Sequence, residues 1–154
     1  MEKPSSKIKE LKHKNIFIQG AISPLFIAES IAKHNHKKNI GAHSIFLGQV
    51  RNDKINGQEV TAIEYSAYEE MALEKMNEIR ESVFSSYELS CLHVHHSLGK
   101  VLAGEICLFV FTSSPHRKSA IDACEILVEK IKNELPIWGK EIFTSDDFVW
   151  KENK

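Results

Sequence analysis

The stretch GAHSIFLGQVRNDKINGQEVTAIEY, residues 41–65, decides the fold class. Residues 41–50 read as a strand. Asn56-Gly57 is a hairpin signal, because the tightest two-residue turns need positive φ at both positions and Asn and Gly tolerate it best. Residues 60–65 then return as the expected partner strand, with Glu64 breaking the apolar run. A strand that doubles back through a short turn, rather than through a crossover helix, points to antiparallel pairing.

Toward the N-terminus, residues 16–18 read as a short strand. Ser23 supplies an N-cap and Pro24 the first helical position, with a helix continuing to about Lys33. Toward the C-terminus, Ala72, Met76, Ile79 and Val83 recur at helical spacing and predict a helix over residues 69–84. Residues 89–95 and 106–112 read as strands linked through Gly99 and Gly104. Ser114-Pro115 signals a third helix, whose apolar stripe is Ala120, Cys124, Leu127, Ile131 and Leu135 and which Pro136 stops. Residues 137–138 and 148–150 read as short extended segments. The order β-α-β-β-α-β-β-α, then short strands, contains more hairpins than crossovers. The expected fold class is therefore α+β with a mainly antiparallel sheet. A single domain is expected over residues 15–154, behind a polar, lysine-rich and weakly ordered tail over residues 1–14.

The chain has 154 residues, 42% hydrophobic and 27% charged, with a net charge of -1. Bulk electrostatics thus favour neither nucleic acid nor an anionic membrane, and an anionic ligand must be held by a local cluster of cations. The three cysteines, Cys91, Cys107 and Cys124, form no Cys-x-x-Cys pair and are odd in number, which speaks for a reducing, cytoplasmic setting without a disulfide framework. No stretch approaches the ~18 apolar residues of a membrane span. The apolar run behind the basic N-terminus, residues 16–18, is too short for a signal peptide.

Four places hold candidate chemistry. Ser114-Pro115-His116-Arg117 sets an imidazole and a guanidinium at a helix start, where free N–H groups and the positive dipole end favour an anion. Arg117 adds a bidentate donor for phosphate, although spacing alone favours an arginine on an exposed helix start that contacts water or a carboxylate. In Phe46-Leu47-Gly48-Gln49-Val50-Arg51, the glycine permits a bulge or a close backbone approach. By residue type alone, Arg51 there is a solvated strand-end residue. Lys132 lies roughly 40° beyond Val128 on the helical wheel, at the edge of the apolar stripe. A lysine there is either partly desolvated, with a lowered pKa, or snorkels its head to water. Finally, His93 and His95 alternate onto one strand face beside His96. Neither Cys-x-x-Cys nor Glu-x-x-His spacing accompanies them, and no metal is expected. Cys107 and Cys124 read as small core residues rather than nucleophiles.

Taken in order, GAHSIFLGQVR (41–51), IEYSAY followed by MA (63–72), SPHR (114–117) and the run from Ala123-Cys124 through Lys132 to PIWGKE (136–141) resemble the large subunit of molybdopterin synthase. The resemblance covers residues 16–150 or so. It implies an α/β hammerhead-type fold with a small additional β subdomain. It also implies a central homodimer that binds a small ubiquitin-like sulfur-carrier subunit at each end, giving a heterotetramer. The carrier's C-terminal Gly-Gly thiocarboxylate would enter a pocket and deliver sulfur to cyclic pyranopterin monophosphate, forming the molybdopterin dithiolene without a cofactor or metal on this chain.

By the same resemblance, Gln49, Val50, Arg51, His116, Arg117, Lys132, Gly139, Lys140 and Glu141 line the substrate pocket. Lys132 and Lys140 are the catalytic candidates, and Arg51, His116 and Arg117 bind phosphate. Two positions depart from the family pattern. Gly139 stands where a basic residue is usual, so Lys140 would have to swing in. Ser97 stands where arginine is common. Two other readings remain open: a catalytically weak dimeric scaffold for the carrier subunit, and a phosphate-binding enzyme that acts without a sulfur carrier. Arg117 and Lys132, fifteen residues apart on one expected helix, would be about 22 Å apart along its axis at 1.5 Å per residue. One small substrate hardly reaches both, so each pocket is expected to be built across the dimer.

Overall fold

The computed structural model describes residues 13–153. Nearly all of the expected tail lies outside the described residues. The elements run β1 (Phe17–Gln19), α1 (Pro24–Ala32), β2 (Ala42–Gln49), β3 (Lys54–Ile55), β4 (Gln58–Ala67), α2 (Glu69–Ser86), β5 (Cys91–Leu102), β6 (Ile106–Ser114), α3 (Arg117–Glu134), β7 (Ile137–Phe143) and β8 (Phe148–Trp150). The expected order is kept, with one short strand, β3, added. The sheet order is β2-β6-β5-β4-β7-β8, with β1 parallel to β5 and every other pair antiparallel. The expected α+β class is thus observed.

The Asn56-Gly57 turn forms as expected, with φ of 52° and 79°. The pairing expected from it does not. The arm entering the turn is only Lys54–Ile55, paired with Gln58 and Glu59. Residues 42–49 pair with β6 instead. The physical reason lies in β6, whose run Cys107-Leu108-Phe109-Val110-Phe111 is buried on both faces and so needs neighbours on both edges. Val50 anchors the exchange. Its N–H donates to Glu105 O at 3.0 Å and its carbonyl accepts from Gly104 N at 2.8 Å.

Alternation along β6 builds two cores. Leu108 and Val110 join α2 (Met76, Ile79, Val83) and α3 (Leu127, Ile131) on one face. Phe109 and Phe111 meet Ile22 and Ile27 on the other. β5 serves both halves of the sheet: residues 91–96 pair with β6 and residues 99–102 with β4. Gly99, at φ 78°, turns the strand between them, so this glycine bends β5 where sequence reading ended it. Ser114 likewise belongs to β6 and does not cap a helix. Its hydroxyl donates to Glu88 O at 2.8 Å, and the N-cap is His116.

Candidate functional site

Pro136 ends α3 and the chain passes almost at once into β7, which brings residue 139 beside the last helical turn. β8 pairs along the far edge of β7, and beyond it Lys151 N–H donates to Gly139 O at 2.8 Å. Between these elements lies a cavity of about 210 Å³, lined by Lys132, Tyr65, His96, Trp138, Gly139 and Lys151 among others. Asn153 closes one side by donating to Lys132 O at 2.9 Å.

Lys132 is half-buried, and burial holds its ammonium below the usual lysine range. The Cys107 thiol partly opposes this, and the nearby charge of Lys151 adds to it. Among the described residues no carboxylate pairs with Lys132. Lys151, whose side chain is 24% exposed, approaches Glu141 at 3.9 Å. His96 is 3% exposed and its Nδ1 lies 2.8 Å from Ser97 O; a carbonyl only accepts, so Nδ1 carries the hydrogen. Burial lowers its pKa to about 4, against the backbone bond to Ser97 and helped by Lys132, so the ring is neutral at physiological pH. Tyr65 stands edge-on to His96 with ring centroids 5.1 Å apart. Burial first, then Cys107, raises its phenol well above the usual range. The cleft therefore offers cations and neutral dipoles to an anionic ligand.

The expected site residues do not all converge. Gly139 lies at the cleft with Lys132. A side chain there would meet Ile63 Cγ2 at 2.8 Å from its Cβ. Glu141, two residues on, shares the Gly139 face of β7 and is buried. Lys140 alternates to the other face, its Nζ 4.7 Å from the Phe148 ring centroid and 5.3 Å from that of Trp150. Val50 is a core residue, and Gln49 sits at a strand irregularity next to Gly48, where the sequence allowed a bulge. Arg51 is 70% exposed and grips Asp53 through Nε and Nη2, both at 3.1 Å, which raises its pKa.

His116 and Arg117 are exposed at the start of α3. They adjoin Gly41, where any Cβ would run into the Pro115 carbonyl. Ala42 pairs with Ser114 at that end of β2, and Gln49 with Ile106 at the other. Within one chain His116-Arg117 thus stands a full strand and a full helix away from Lys132. Sequence reading missed Lys151, Tyr65 and His96 as cleft residues. Only the β7–β8 pairing brings Lys151 in.

Fold and cleft define a class: an α+β chain with a mainly antiparallel sheet that presents a desolvated lysine to a cationic cleft. The chain belongs to the MoaE protein family, whose profile matches residues 22–134. It is 38% identical over 120 residues to "Molybdopterin synthase catalytic subunit 1" of Aedes aegypti, covering 76% of this chain and 77% of that one. It is 40% identical over 116 residues to the catalytic subunit of Drosophila willistoni, covering 74% of this chain but only 31% of that longer protein. The crystal structure of molybdopterin synthase from Staphylococcus aureus superposes with a TM-score of 0.78 at 29% identity, covering 90% of this chain and 97% of that one. The resemblance read from residues 41–51, 63–72, 114–117 and 123–141 is borne out at the level of the family. No helix among the described residues is long and apolar enough to cross a membrane.

Proposed function

We propose that this chain is the catalytic subunit of a cytoplasmic molybdopterin synthase, transferring sulfur from the thiocarboxylated C-terminus of a small ubiquitin-like subunit to cyclic pyranopterin monophosphate. The observation that carries the reading is Lys132: a half-buried ammonium without a carboxylate partner among the described residues, in an open cleft with a second lysine. A thiocarboxylate entering past Trp138 would meet that ammonium as its counter-ion. Because burial already disfavours its charged form, Lys132 would also give up a proton readily as the acyl group leaves. Lys151 and Arg51, with Gln49 nearby, supply further polar contacts at this end of the molecule.

The pyranopterin phosphate needs His116 and Arg117 as well, and these come from a second protomer. What supports this is the continuity of α3, one unbroken helix from Arg117 to Glu134, which keeps both ends from reaching one ligand. Among the described residues the outer edge of β2 is unpaired, and this strand exposes Ile45, Phe46 and Leu47, apolar surface suited to self-association.

The test is product formation from purified chain, pyranopterin monophosphate and thiocarboxylated small subunit, comparing the native chain with Lys132→Ala. Dithiolene from the native chain, with at least a hundredfold loss in the variant and carrier binding retained, is the expected result. A stable complex without product from the native chain would replace this reading with the scaffold one.

A further inference from the structure

At the far end of β5 from the cleft, three side chains turn their heteroatoms toward one another. His34 follows α1, and Cys91 and His93 share a face at the start of β5. One potential ligand atom from each lies within 4.8 Å of the others. His34 Nε2 and His93 Nε2 are 3.1 Å apart. Two ligand atoms about 2.0–2.1 Å from a tetrahedral metal stand roughly 3.3 Å apart, so the imidazole pair already has the needed separation.

We propose that His34, Cys91 and His93 form a binding site for a divalent transition metal of the zinc type, with water in the fourth position. Two imidazoles and one sulfur suit zinc or cobalt and are a poor match for magnesium or calcium, which take oxygen ligands.

The surroundings prepare the ligands. His34 Nδ1 lies 2.8 Å from Ser30 O, so it carries the hydrogen and leaves the Nε2 lone pair free, the arrangement that orients most metal-bound histidines. His34 is 9% exposed and packs against the rings of Phe111 and His93, which fixes its plane. His93 is half-buried, its ring centroid 5.0 Å from that of His34. Lys37 Nζ donates to Cys91 Sγ at 2.9 Å, and Lys14 Nζ lies 3.3 Å from His93 Nδ1. On metal binding Lys37 withdraws from the sulfur and Cys91 gives up its thiol hydrogen to solvent, while His93 moves its hydrogen from Nε2 to Nδ1, from which Lys14 turns away, so that both imidazoles bind through Nε2 with a hydrogen kept on Nδ1. No redox change is needed. The bound ion ties the segment after α1 to the start of β5, 54 or more residues further along the chain.

The experiment uses the full chain without a polyhistidine tag. Cobalt(II) is titrated in, followed spectroscopically, and then displaced with zinc. One equivalent, with a thiolate-to-cobalt charge-transfer band and the strong visible bands of a tetrahedral site, is expected. Cys91→Ser should abolish the charge-transfer band, and His34→Gln or His93→Gln should weaken binding at least tenfold. His36→Gln, on the exposed loop nearby, should leave it unchanged. Lys37→Met removes the competitor for the sulfur and should tighten binding, a gain that a misfolded variant would not give. The absence of a charge-transfer band in the native chain, or binding indifferent to all three ligand substitutions, would overturn the proposal. None of these readouts depends on sulfur transfer.

Discussion

The backbone N–H of Lys151 donates to the carbonyl of Gly139 at 2.8 Å, so the strand edge next to a residue without a side chain returns a lysine to the same cleft. The cleft thereby holds a second lysine, brought in from beyond β8. Lys151→Met is expected to lower turnover roughly ten- to a hundredfold, the scale on which removing one preorganised electrostatic contact acts. It should also raise the pKa of Lys132, because Lys151 is one of the causes that lower it. A pH–rate profile of the variant, with its lysine limb moved to higher pH, checks both.

A side chain at position 139 itself should be poorly tolerated. A Cβ at Gly139 would sit 2.8 Å from Ile63 Cγ2 and 3.3 Å from Tyr65 Cε1. Ile63 is β-branched and buried in the core, so it yields poorly. Gly139→Lys is expected to cost about 1–3 kcal/mol, the usual scale of overpacking, read as a lower midpoint of denaturant unfolding. In an Ile63→Ala background, which removes Cγ2, the added cost of Gly139→Lys should shrink.

Much of this was readable from local patterns. The Asn56-Gly57 turn and the stripes of α2 and α3 follow from spacing alone, and the position of Lys132 beside Val128 on the wheel matches its half-buried state. What failed was non-local. The partner of residues 41–50 was decided by the double-sided burial of β6, not by the nearest turn. Expecting only residues 137–138 as extended hid the alternation of β7, which sends Gly139 and Lys140 to opposite faces. His93 was read beside His95 and His96, its neighbours along the strand. The atoms that meet it come from Cys91 and from His34 in a different element.

Acid should destabilise the fold through His96. Its folded pKa, about 4, lies below the unfolded 6.5, so between those values the unfolded chain binds more protons and stability falls as pH falls. At about 1.4 kcal/mol per tenfold difference, the loss approaches ~3 kcal/mol below pH 4. His96→Gln, although less stable at pH 7, should flatten the dependence of Tm on pH between 6.5 and 4. An unchanged slope would place the acid sensitivity elsewhere.

The shared pocket can be tested by complementation. Lys132→Ala removes the cleft lysine from a protomer and leaves its His116-Arg117 end intact. Arg117→Ala does the reverse. If each pocket takes Lys132 from one protomer and Arg117 from its partner, each homodimer is inactive. A mixed dimer then holds one pocket with both residues and one with neither. Random exchange makes half the dimers mixed, so about a quarter of native turnover should return in a two-fold symmetric assembly. If both residues served a pocket within one protomer, every pocket in the mixture would lack one of them and no activity would return. Tagging the two variants differently and assaying the doubly purified dimer sharpens the contrast to about half of native turnover against none, since every such dimer carries one complete pocket.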